Sequence, residues 1–249
     1  MKSEDSAPDR PGPAAPPVLK EMFNHVSARY DLLNRLLSLG RDVFWRRALA
    51  RRLVARDYPG SFLDLATGSG DQLLASREFW PHAELTGLDF SETMLDIAGK
   101  KLKKRGLEGE ADLILGDVRE PPFESELFDS VSISFGLRNI AERDSLYREA
   151  FRVLKPGGRF LVLELFFDPR SLVAPLHRLH LEIVTPWLAR RLFKSQKKAY
   201  AYLSRSIMAF PHPAVIADEL KAAGFKGVEY RTYTFGSAML VWGQKPLPE

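Results

Sequence analysis

Short apolar runs alternate with amphipathic stretches along most of the chain, and the two patterns predict strands and helices respectively. The apolar runs predict seven strands, at 61–66, 84–89, 111–116, 128–135, 159–166, 227–235 and 238–245. Helical periodicity predicts the main helices between them, near 71–79, from Ser91 to about 104, near 142–154 and near 213–223. Alternating strands and helices are typical of an α/β fold with a parallel, doubly wound sheet. The closing hairpin places one antiparallel C-terminal strand in this Rossmann-like sheet.

The segments outside the alternating core are of two kinds. Residues 1–17 contain five prolines and almost no apolar side chains, which predicts a disordered tail. Residues 18–249 are expected to form one domain, with a helical cover over 18–56 and a helical insert over 169–205. The cover includes a predicted helix over 43–56. Because the cover precedes the first strand, its helices lie outside the sheet and are candidates for a lid over a ligand site.

The most informative stretch joins the first predicted strand to the helix that follows it. Its apolar run leads into Gly68 and Gly70, a pair that permits positive φ and a close approach of the backbone to a ligand. Asp64 and Asp71 flank the pair, and their charges disfavour a phosphate and favour an ammonium or sulfonium group. Leu73 stands where a dinucleotide-binding loop has its third glycine. An ordinary tight turn between strand and helix is the alternative interpretation.

The second predicted strand ends in a further acid, Asp89. An acid at the tip of this strand is placed to accept hydrogen bonds from two ribose hydroxyls. A nucleoside site that has acids and lacks phosphate-binding features indicates S-adenosylmethionine as the ligand. Seven strands with an antiparallel strand at the C-terminal end are also the architecture of class I methyltransferases.

The amino-acid composition limits the kinds of catalysis and the cellular compartment that we expect for this chain. The 249 residues are 45% hydrophobic, enough for one sizeable core, and include no cysteine, which excludes disulfides and cysteine catalysis. No apolar run approaches the ~20 residues of a membrane-spanning helix. The acidic, proline-rich N-terminus is unlike a secretory signal. We therefore expect a soluble, cytoplasmic protein.

Several motifs resemble those of the ubiquinone/menaquinone biosynthesis C-methyltransferases (UbiE/MenG-like). The two most specific are Ile133-Ser-Phe-Gly-Leu-Arg-Asn139 and Tyr200-Ala-Tyr-Leu-x-x-Ser-Ile207. Others are Phe23-x-x-Val-Ser-Ala-Arg-Tyr-Asp31, Asp64-Leu-Ala-Thr-Gly-Ser-Gly-Asp71, Arg152-Val-Leu-Lys-Pro-Gly-Gly158 and Leu161-Val-Leu-Glu164. The resemblance extends over about 20–245. It implies that the chain uses S-adenosylmethionine to methylate a ring carbon of a polyprenylated benzoquinol or of demethylmenaquinol.

The resemblance also implies particular cofactor contacts. They fall on Ser69, Asp89, Asp117, Val118 and Ser134. Three positions in and near these contacts differ from the family pattern. Thr67 replaces a glycine in the first turn, and Val118 replaces a small residue after the third strand. Ser69 replaces a threonine and keeps its hydroxyl.

Further cofactor contacts are expected from the residues themselves. Asp64, Gly68 and Gly70 belong to the turn after the first strand. Asp117, at the tip of the third strand, is expected to bind the adenine amino group, with a turn-forming aspartate as the alternative. Phe90 is expected to stack on adenine, with packing in the core as its alternative.

Candidate catalytic residues follow the fourth strand and lie on the lid. Arg138 is expected to stabilise a developing phenolate or to lower the pKa of a bound water, and Asn139 to orient that water. The alternative for Arg138 is a structural ion pair with Glu164 or Asp71. Tyr30, on the predicted lid helix, is expected to face the substrate ring, with packing as its alternative.

His177 and His180 have the i, i+3 spacing of a helical metal pair. No third ligand follows at a recognisable spacing, so no metal site is predicted. A surface or gap-lining role is the simpler interpretation. A base for the quinol hydroxyl is the other role that the pair leaves open.

The net charge of +4 is unevenly distributed. Residues 169–205 contain eight basic residues against one acid, Glu182, and their apolar residues recur largely at helical spacing. A second basic segment surrounds Phe44, Trp45 and Leu49. Basic amphipathic helices of this kind are typical of binding to an anionic membrane surface, where a polyprenyl tail would lie. The alternative is a solvated helix whose leucines pack on the core.

Two rival functions have support in the sequence. One is a methyltransferase of the same fold that acts on a phenol, a sterol or an amine, because fold alone does not define a substrate. The other is RNA binding or RNA methylation, suggested by a pI near 9.2. The basic residues lie among leucines rather than exposed aromatics, so we expect no nucleic-acid partner. The quinone series, the prenyl length and the oligomeric state stay open, and a homodimer is compatible with the sequence.

Overall fold

The computed structural model describes Arg35, residues 38–187 and residues 197–248, without side-chain detail for 197–202. Seven strands form one sheet: β1 (Ser61–Leu65), β2 (Glu84–Asp89), β3 (Ala111–Leu115), β4 (Phe128–Ser134), β5 (Leu154–Leu165), β6 (Lys226–Tyr233) and β7 (Ala238–Gln244). Their order across the sheet is β3-β2-β1-β4-β5-β7-β6. Strands β1 to β5 pair in parallel, whereas β7 is antiparallel to both of its neighbours. The predicted α/β sheet with an antiparallel C-terminal strand is confirmed.

The described helices are α1 (Asp42–Ala50), α2 (Asp71–Phe79), α3 (Glu92–Lys104), α4 (Arg143–Val153), α5 (Ala174–Leu179), α6 (Lys197–Ala209) and α7 (Pro213–Ala222). Ser91 is the N-cap of α3, as predicted, and its hydroxyl accepts a hydrogen bond from the N–H of Met94 at 3.4 Å. The predicted tail at 1–17 and the first part of the helical cover lie outside the described residues.

Alternate residues of each strand pack on opposite faces of the sheet, which creates two apolar cores. Phe62 of β1 packs in one core with Trp45 and Leu49 of α1. Leu63, the next residue, packs in the other core with side chains of α4 and α7. Because Trp45 and Leu49 are buried, the interpretation of α1 as an interfacial helix is wrong for these two residues. Phe44 is 51% exposed.

Helix α1 is shorter than its apolar spacing predicts. The prediction extends to residue 56, whereas the helix ends at Ala50. The N–H groups of residues 51–53 still bond to the preceding turn, and from Val54 the backbone bonds to the sheet. The N–H of Val54 donates to Oγ of Ser130 in β4 at 2.8 Å, and that hydroxyl donates to the Val54 carbonyl at 2.9 Å. A strand side chain therefore replaces the partners that a longer helix would supply.

Strand β5 begins earlier than its predicted range of 159–166. It starts at Leu154, directly after α4, and contains the Lys-Pro-Gly-Gly turn as an irregularity. Its pairing with β4 passes from Phe128 opposite Leu154 to Ser130 opposite Arg159. The extra residues of β5 are accommodated in a bulge between those two pairs.

The described part of the predicted helical insert is helical from Ala174 onward, whereas residues 169–173 form turns. It contains α5, a π-helical segment at His180–Val184 and the start of α6, and residues 188–196 lie outside the described ranges. No helix in the described ranges is both long and apolar enough to cross a membrane.

The sheet has a topological switch point between β1 and β4. From β1 the chain builds outward through β2 and β3, and then returns to place β4 on the opposite side of β1. In open α/β sheets, ligands bind outside the carboxyl ends of the strands at such a point. The ends of β1 and β4 therefore define where a ligand site is expected.

Candidate functional site

The turn between β1 and α2 is built from residues with positive φ. The values are +52° at Ala66, +56° at Gly68 and +79° at Gly70. A Cβ at Gly70 would lie 3.0 Å from the Cβ of Ala98 in α3, so the turn packs closely against that helix. The two glycines thus meet a conformational and a spatial requirement, as the sequence predicts.

Asp89, at the end of β2, holds this turn. Its Oδ2 accepts a hydrogen bond from the N–H of Gly68 at 2.8 Å, and its Oδ1 accepts one from the N–H of Ser91 at 2.9 Å. Burial raises the pKa of Asp89, although these N–H groups and that of Phe90 oppose the rise. Because a carboxylate oxygen has two lone pairs, Asp89 keeps acceptor capacity for ribose hydroxyls.

Asp64 is a buried carboxyl within β1. Its Oδ1 accepts a hydrogen bond from Oγ of Ser132 in β4 at 2.8 Å. Burial raises the pKa of Asp64 to about 6, against the opposing effects of Ser132, Thr67 and Arg46. A cation beside such a carboxyl favours its ionised form. The site therefore favours a positively charged ligand group near Asp64.

Asp71, in the first turn of α2, is neutralised by the protein. It forms an ion pair with Lys101 of α3, which also donates a hydrogen bond to Oγ of Ser69 at 3.1 Å. Burial acts to raise the pKa of Asp71, but the charges of Arg46 and Lys101 hold it below its usual range. Asp64, in contrast, forms no ion pair with any of the described residues. The two acids predicted to face a cationic ligand are thus in different electrostatic situations.

The carboxyl end of β4 meets the same turn. Oγ of Ser134 donates a hydrogen bond to Oε1 of Gln72 in α2 at 3.1 Å. The next residue, Phe135, has φ +60°, and the guanidinium of Arg46 lies 4.8 Å from its ring centroid. Positive φ in a residue other than glycine is strained, and such residues cluster at functional sites. Ala66 and Phe135 place this strain at the tips of the two strands that form the switch point.

Arg138 forms a buried ion pair with Glu164 of β5. The Nη1–Oε1 distance is 2.5 Å, and the two side chains are 3% and 0% exposed. Nη1 of Arg138 also donates to the carbonyl of Phe135 at 2.8 Å, and the N–H of Arg138 donates to Glu164 at 3.1 Å. The ion pair that the sequence leaves as an alternative is therefore present. Catalytic roles for Arg138 and Asn139 stay predictions.

The residues expected near adenine lie on the β3 side of the site. Asp117 is exposed and is bound by Arg119, whose Nη2 lies 2.6 Å from Oδ2 and whose N–H donates to Oδ1 at 2.9 Å. Hydrogen bonding from Arg119 holds the pKa of Asp117 below its usual range, against the effect of partial burial. Val118 is buried and packs in a core cluster, and Phe90 is half-buried. Asp117 thus has the turn-forming contacts. Adenine binding by Asp117 and Phe90, and a cofactor contact by Val118, stay predictions.

The histidine pair lies in the insert. The ring of His177 is 5.6 Å from that of Phe167, measured between centroids, and His177 is half-buried. Burial, followed by the charge of His180, lowers the pKa of His177. Within the described part of the chain, no group of three or more His, Asp or Glu side chains is arranged to hold a metal ion.

Comparison with known proteins identifies the family. A model of the ubiE/COQ5 methyltransferase family matches residues 14–245. The chain belongs to this family. A demethylmenaquinone methyltransferase of Thermus thermophilus is 42% identical over 90% of this chain and 100% of its own length. A demethylmenaquinone methyltransferase of Deinococcus radiodurans is 39% identical, over 92% of each chain. A ubiquinone/menaquinone biosynthesis C-methyltransferase of Desulfotalea psychrophila is 34% identical, over 92% of this chain and 91% of its own.

Solved structures share the fold of this ubiE/COQ5 family member at lower identity. An S-adenosylmethionine-dependent methyltransferase of Thermotoga maritima has a TM-score of 0.63 and 18% identity, over 90% of this chain and 99% of its own. Phosphoethanolamine N-methyltransferase 2 of Haemonchus contortus, solved with S-adenosylmethionine, has a TM-score of 0.59 and 17% identity, over 81% of this chain and 52% of its own. These likenesses show the class I methyltransferase fold alone. Family membership makes the chain a methyltransferase that uses S-adenosylmethionine.

The site of this methyltransferase contains residues that sequence reasoning missed. Arg46, Gln72 and Lys101 contact or neutralise groups at the ends of β1 and β4. Arg46 is one of seven arginines between residues 35 and 56, and Lys101 belongs to a run of lysines. Nothing in their spacing distinguishes them from neighbours that face solvent. Tyr30, the remaining predicted catalytic residue, lies outside the described residues.

Proposed function

We propose that this methyltransferase transfers a methyl group to a ring carbon of a polyprenylated quinol. The reaction converts demethylmenaquinol to menaquinol, or methylates 2-polyprenyl-6-methoxy-1,4-benzoquinol in ubiquinone biosynthesis. The observation that carries the proposal is the match to the ubiE/COQ5 family over residues 14–245, together with relatives named for these reactions at 34–42% identity. The acids at the ends of β1 and β2 agree with a nucleoside methyl donor.

The turn after β1 fits the methyl donor. A Cβ at Gly68 would lie 3.3 Å from Cε of Met94, so a side chain there would occupy the space between turn and helix. Asp89 would hold the ribose, and Asp64 favours the positive charge of the donor. When bound, S-adenosylmethionine supplies a methyl group activated by its sulfonium.

The protein's own contribution to the reaction is to position the ring and to stabilise negative charge on it. A quinol carbon becomes nucleophilic when a neighbouring hydroxyl loses its proton, so a cation close to that oxygen lowers the barrier. We assign this role to Arg138, whose guanidinium is held by Glu164 in a dry environment where charge acts strongly. We assign the orientation of the hydroxyl or of a water molecule to Asn139.

The main alternative is methylation of another small molecule, such as a phenol, a sterol or an amine. Fold similarity does not separate these substrates, because the solved structures include an enzyme named for an amine substrate. An amine needs no cation that stabilises a phenolate. The buried Arg138 at the end of β4 therefore favours a phenolic substrate over an amine.

The quinone content of cells tests the proposal. We expect cells that lack this chain to accumulate the demethylated quinone and to lose the methylated one. Re-expression of the wild-type chain restores the methylated quinone, whereas Asp89→Ala, which damages the cofactor site, does not. An unchanged quinone profile in the deleted strain contradicts the proposal. Loss of a different methylated metabolite in that strain supports the alternative substrate class.

We further propose that the enzyme works as a peripheral protein at the cytoplasmic face of the membrane. Apolar residues of the insert recur at intervals of three and four and face solvent: Leu172, Leu176, Leu179, Ile183 and Trp187. We call these five residues the insert stripe. Leu181 and Thr185, on the opposite side, are buried. The leucines at 176 and 179 thus do not pack on the core, which was the alternative for the insert.

Charge and substrate both support a bilayer as the partner of the insert stripe. The insert has eight basic residues against one acid, and each basic residue near an anionic leaflet contributes about 1 kcal/mol to binding. An exposed apolar helix face inserts at the boundary between headgroups and acyl chains. The polyprenyl tail of the proposed substrate lies in that same layer.

Vesicle flotation tests membrane binding separately from catalysis. We expect flotation with anionic vesicles, less at high salt, and a loss of roughly tenfold or more in Leu176→Ser/Ile183→Ser. The matched control is Leu247→Ser, because Leu247 is equally exposed but lies near the C-terminus. Activity on a short-chain, water-soluble quinol should be the same in all three proteins. Absence of flotation, or equal flotation of the double variant, contradicts this part of the proposal.

A further inference from the structure

Arg46, on α1, is a buried arginine that forms no ion pair with a described residue. Only 7% of the surface of Arg46 is exposed. Its Nε has no hydrogen-bond partner in the described ranges. Its charge acts on the nearby acids Asp64 and Asp71, but neither lies within ion-pair distance. A buried cation whose hydrogen-bonding capacity is not used is costly, and it is suited to bind an anionic group of a ligand.

The contacts of Arg46 place it at the switch point of the sheet. Its guanidinium lies over the ring of Phe135, at the end of β4, with 4.8 Å between Cζ and the ring centroid. Its backbone carbonyl accepts a hydrogen bond from Nε2 of Gln72 at 3.3 Å, and Gln72 in turn binds Ser134. Helix α1 is thereby connected to α2 and β4. The positive group therefore lies beside the carboxyl end of β4, where the methyl donor is expected.

The charges around Arg46 match one end of that donor. The amino-acid part of S-adenosylmethionine is a zwitterion, with an ammonium and a carboxylate on the same carbon. Asp64 is a buried carboxyl that favours the ammonium, and the charge of Arg46 lowers the pKa of Asp64 and of Asp71. An acid and a base so placed form the complement of a zwitterion.

We propose that Arg46 binds the carboxylate of the methionine part of S-adenosylmethionine. This assignment adds a cofactor-binding residue from α1, outside the sheet and its turns. It also gives the helical cover a function, because a bound carboxylate attracts α1 to the site. The proposal rests on the identity of the methyl donor and is independent of the methyl acceptor.

A developing phenolate on the methyl acceptor is the other anion that Arg46 could face. The nearby Asp64 argues for the carboxylate, because only the amino-acid end of the donor carries a cation and an anion side by side. Arg138, held by Glu164, is already assigned to the phenolate. Binding in the absence of acceptor separates the two possibilities.

Calorimetry with two ligands that differ only in the carboxylate tests the proposal. The ligands are S-adenosylmethionine and decarboxylated S-adenosylmethionine. We expect the wild-type protein to bind the first roughly 10- to 100-fold more tightly, as charge-assisted hydrogen bonds to a guanidinium predict. In Arg46→Gln this preference should fall to about threefold or less, because affinity for the carboxylate-bearing ligand alone decreases. Arg46→Lys should retain most of the preference.

The matched control is Arg47→Gln. Arg47 is the next residue of α1, is exposed, and pairs with Glu78. Arg47→Gln should leave the affinity for each of the two ligands unchanged. If Arg46 has a purely structural role, Arg46→Gln should lower the affinity for both ligands by the same factor. That result overturns the proposal. An unaltered preference in Arg46→Gln, or no preference in the wild type, overturns it as well. Where Arg46→Gln does not fold, Arg46→Ala and Arg46→Lys are compared in the same way, and absence of a preference in the wild type overturns the proposal without any variant.

Discussion

The guanidinium of Arg138 and the carboxylate of Glu164 form an ion pair from which solvent is almost completely excluded. Arg138 lies four residues after the end of β4 and Glu164 lies near the end of β5, so the pair joins the ends of neighbouring strands at the edge where the ligand site is expected. Further hydrogen bonds fix the geometry: Nη1 of Arg138 binds the Phe135 carbonyl, and Glu164 accepts from two backbone N–H groups. A cation held in this way is suited to stabilise charge on a substrate and also stabilises the fold.

Loss of one partner should destabilise the protein strongly. We expect Arg138→Ala to lower the free energy of unfolding by about 3–5 kcal/mol, because Glu164 is left as a buried, uncompensated charge. Urea unfolding measures this. Arg143→Ala is a useful comparison, since Arg143 and Glu219 form a partly exposed pair that should contribute less.

A double variant should separate stability from catalysis. Arg138→Gln/Glu164→Gln removes both charges and retains hydrogen-bonding groups, so we expect much of the lost stability to return. If Arg138 acts on the substrate, methyl transfer stays low in this variant while affinity for S-adenosylmethionine is nearly unchanged. Recovery of the rate together with stability would show that Arg138 is only structural.

Asp89 should be a major determinant of cofactor affinity. Asp89→Ala removes the acceptor for ribose and the anchor of Gly68 at once. We expect a loss of about 2–4 kcal/mol, or roughly 30- to 1000-fold, in calorimetry with S-adenosylhomocysteine. Asp112→Ala, at an exposed acid of neighbouring β3, is the control and should bind normally. Unchanged affinity in Asp89→Ala would show that Asp89 does not bind the cofactor.

Asp64 should make stability depend on pH. Its pKa rises from 3.8 to about 6 on folding, so the folded protein binds this proton more tightly than the unfolded chain. The resulting stabilisation is fully present below pH 4 and is lost as the pH rises through about 6. Relative to Asp64→Asn, the ligand-free protein should lose up to about 3 kcal/mol over that interval in urea unfolding. Parallel pH profiles for the two proteins would contradict the burial of Asp64 as the cause of its raised pKa.

Gly87, in β2, should be required for the geometry of the turn. A Cβ there would lie 2.8 Å from Cγ2 of Thr67 and 2.9 Å from Cδ1 of Leu73, so a methyl group would displace the start of α2. We expect Gly87→Ala to reduce stability by about 1–3 kcal/mol and to weaken cofactor binding. Gly99→Ala is the matched control, because its Cβ would meet only Leu113, at 3.7 Å. Equal behaviour of the two variants would show that the turn tolerates displacement.

Sequence patterns predict local structure here better than contacts between distant segments. The strands, the glycine turn and the N-cap at Ser91 follow from residue-level preferences and are confirmed. The end of α1 is predicted wrongly, because the bonds from Val54 to Ser130 come from a strand 76 residues away. The burial of Arg46 was also not predictable, since adjacent Arg47 has the same chemistry and faces solvent.

The candidate site also combines features that the sequence predicts with features that depend on distant segments. The acids at strand ends are visible in the sequence, because parallel strands bring their carboxyl ends to one edge. Their electrostatics are not visible in the sequence, since Lys101 neutralises Asp71 from another helix, whereas Asp64 forms no ion pair with a described residue. The ion pair of Arg138 and Glu164 could be named only as one of two possibilities.

Transfer of a labelled methyl group tests the central claim most directly. The purified enzyme is incubated with S-adenosylmethionine carrying a trideuterated methyl group and with chemically reduced demethylmenaquinone, and the product is examined by mass spectrometry and NMR. We predict a trideuteromethyl group on a ring carbon, formed from the quinol and not from the oxidised quinone, and absent with Asp89→Ala. Label on an oxygen atom, or no labelled quinone although S-adenosylmethionine binds, would contradict the account.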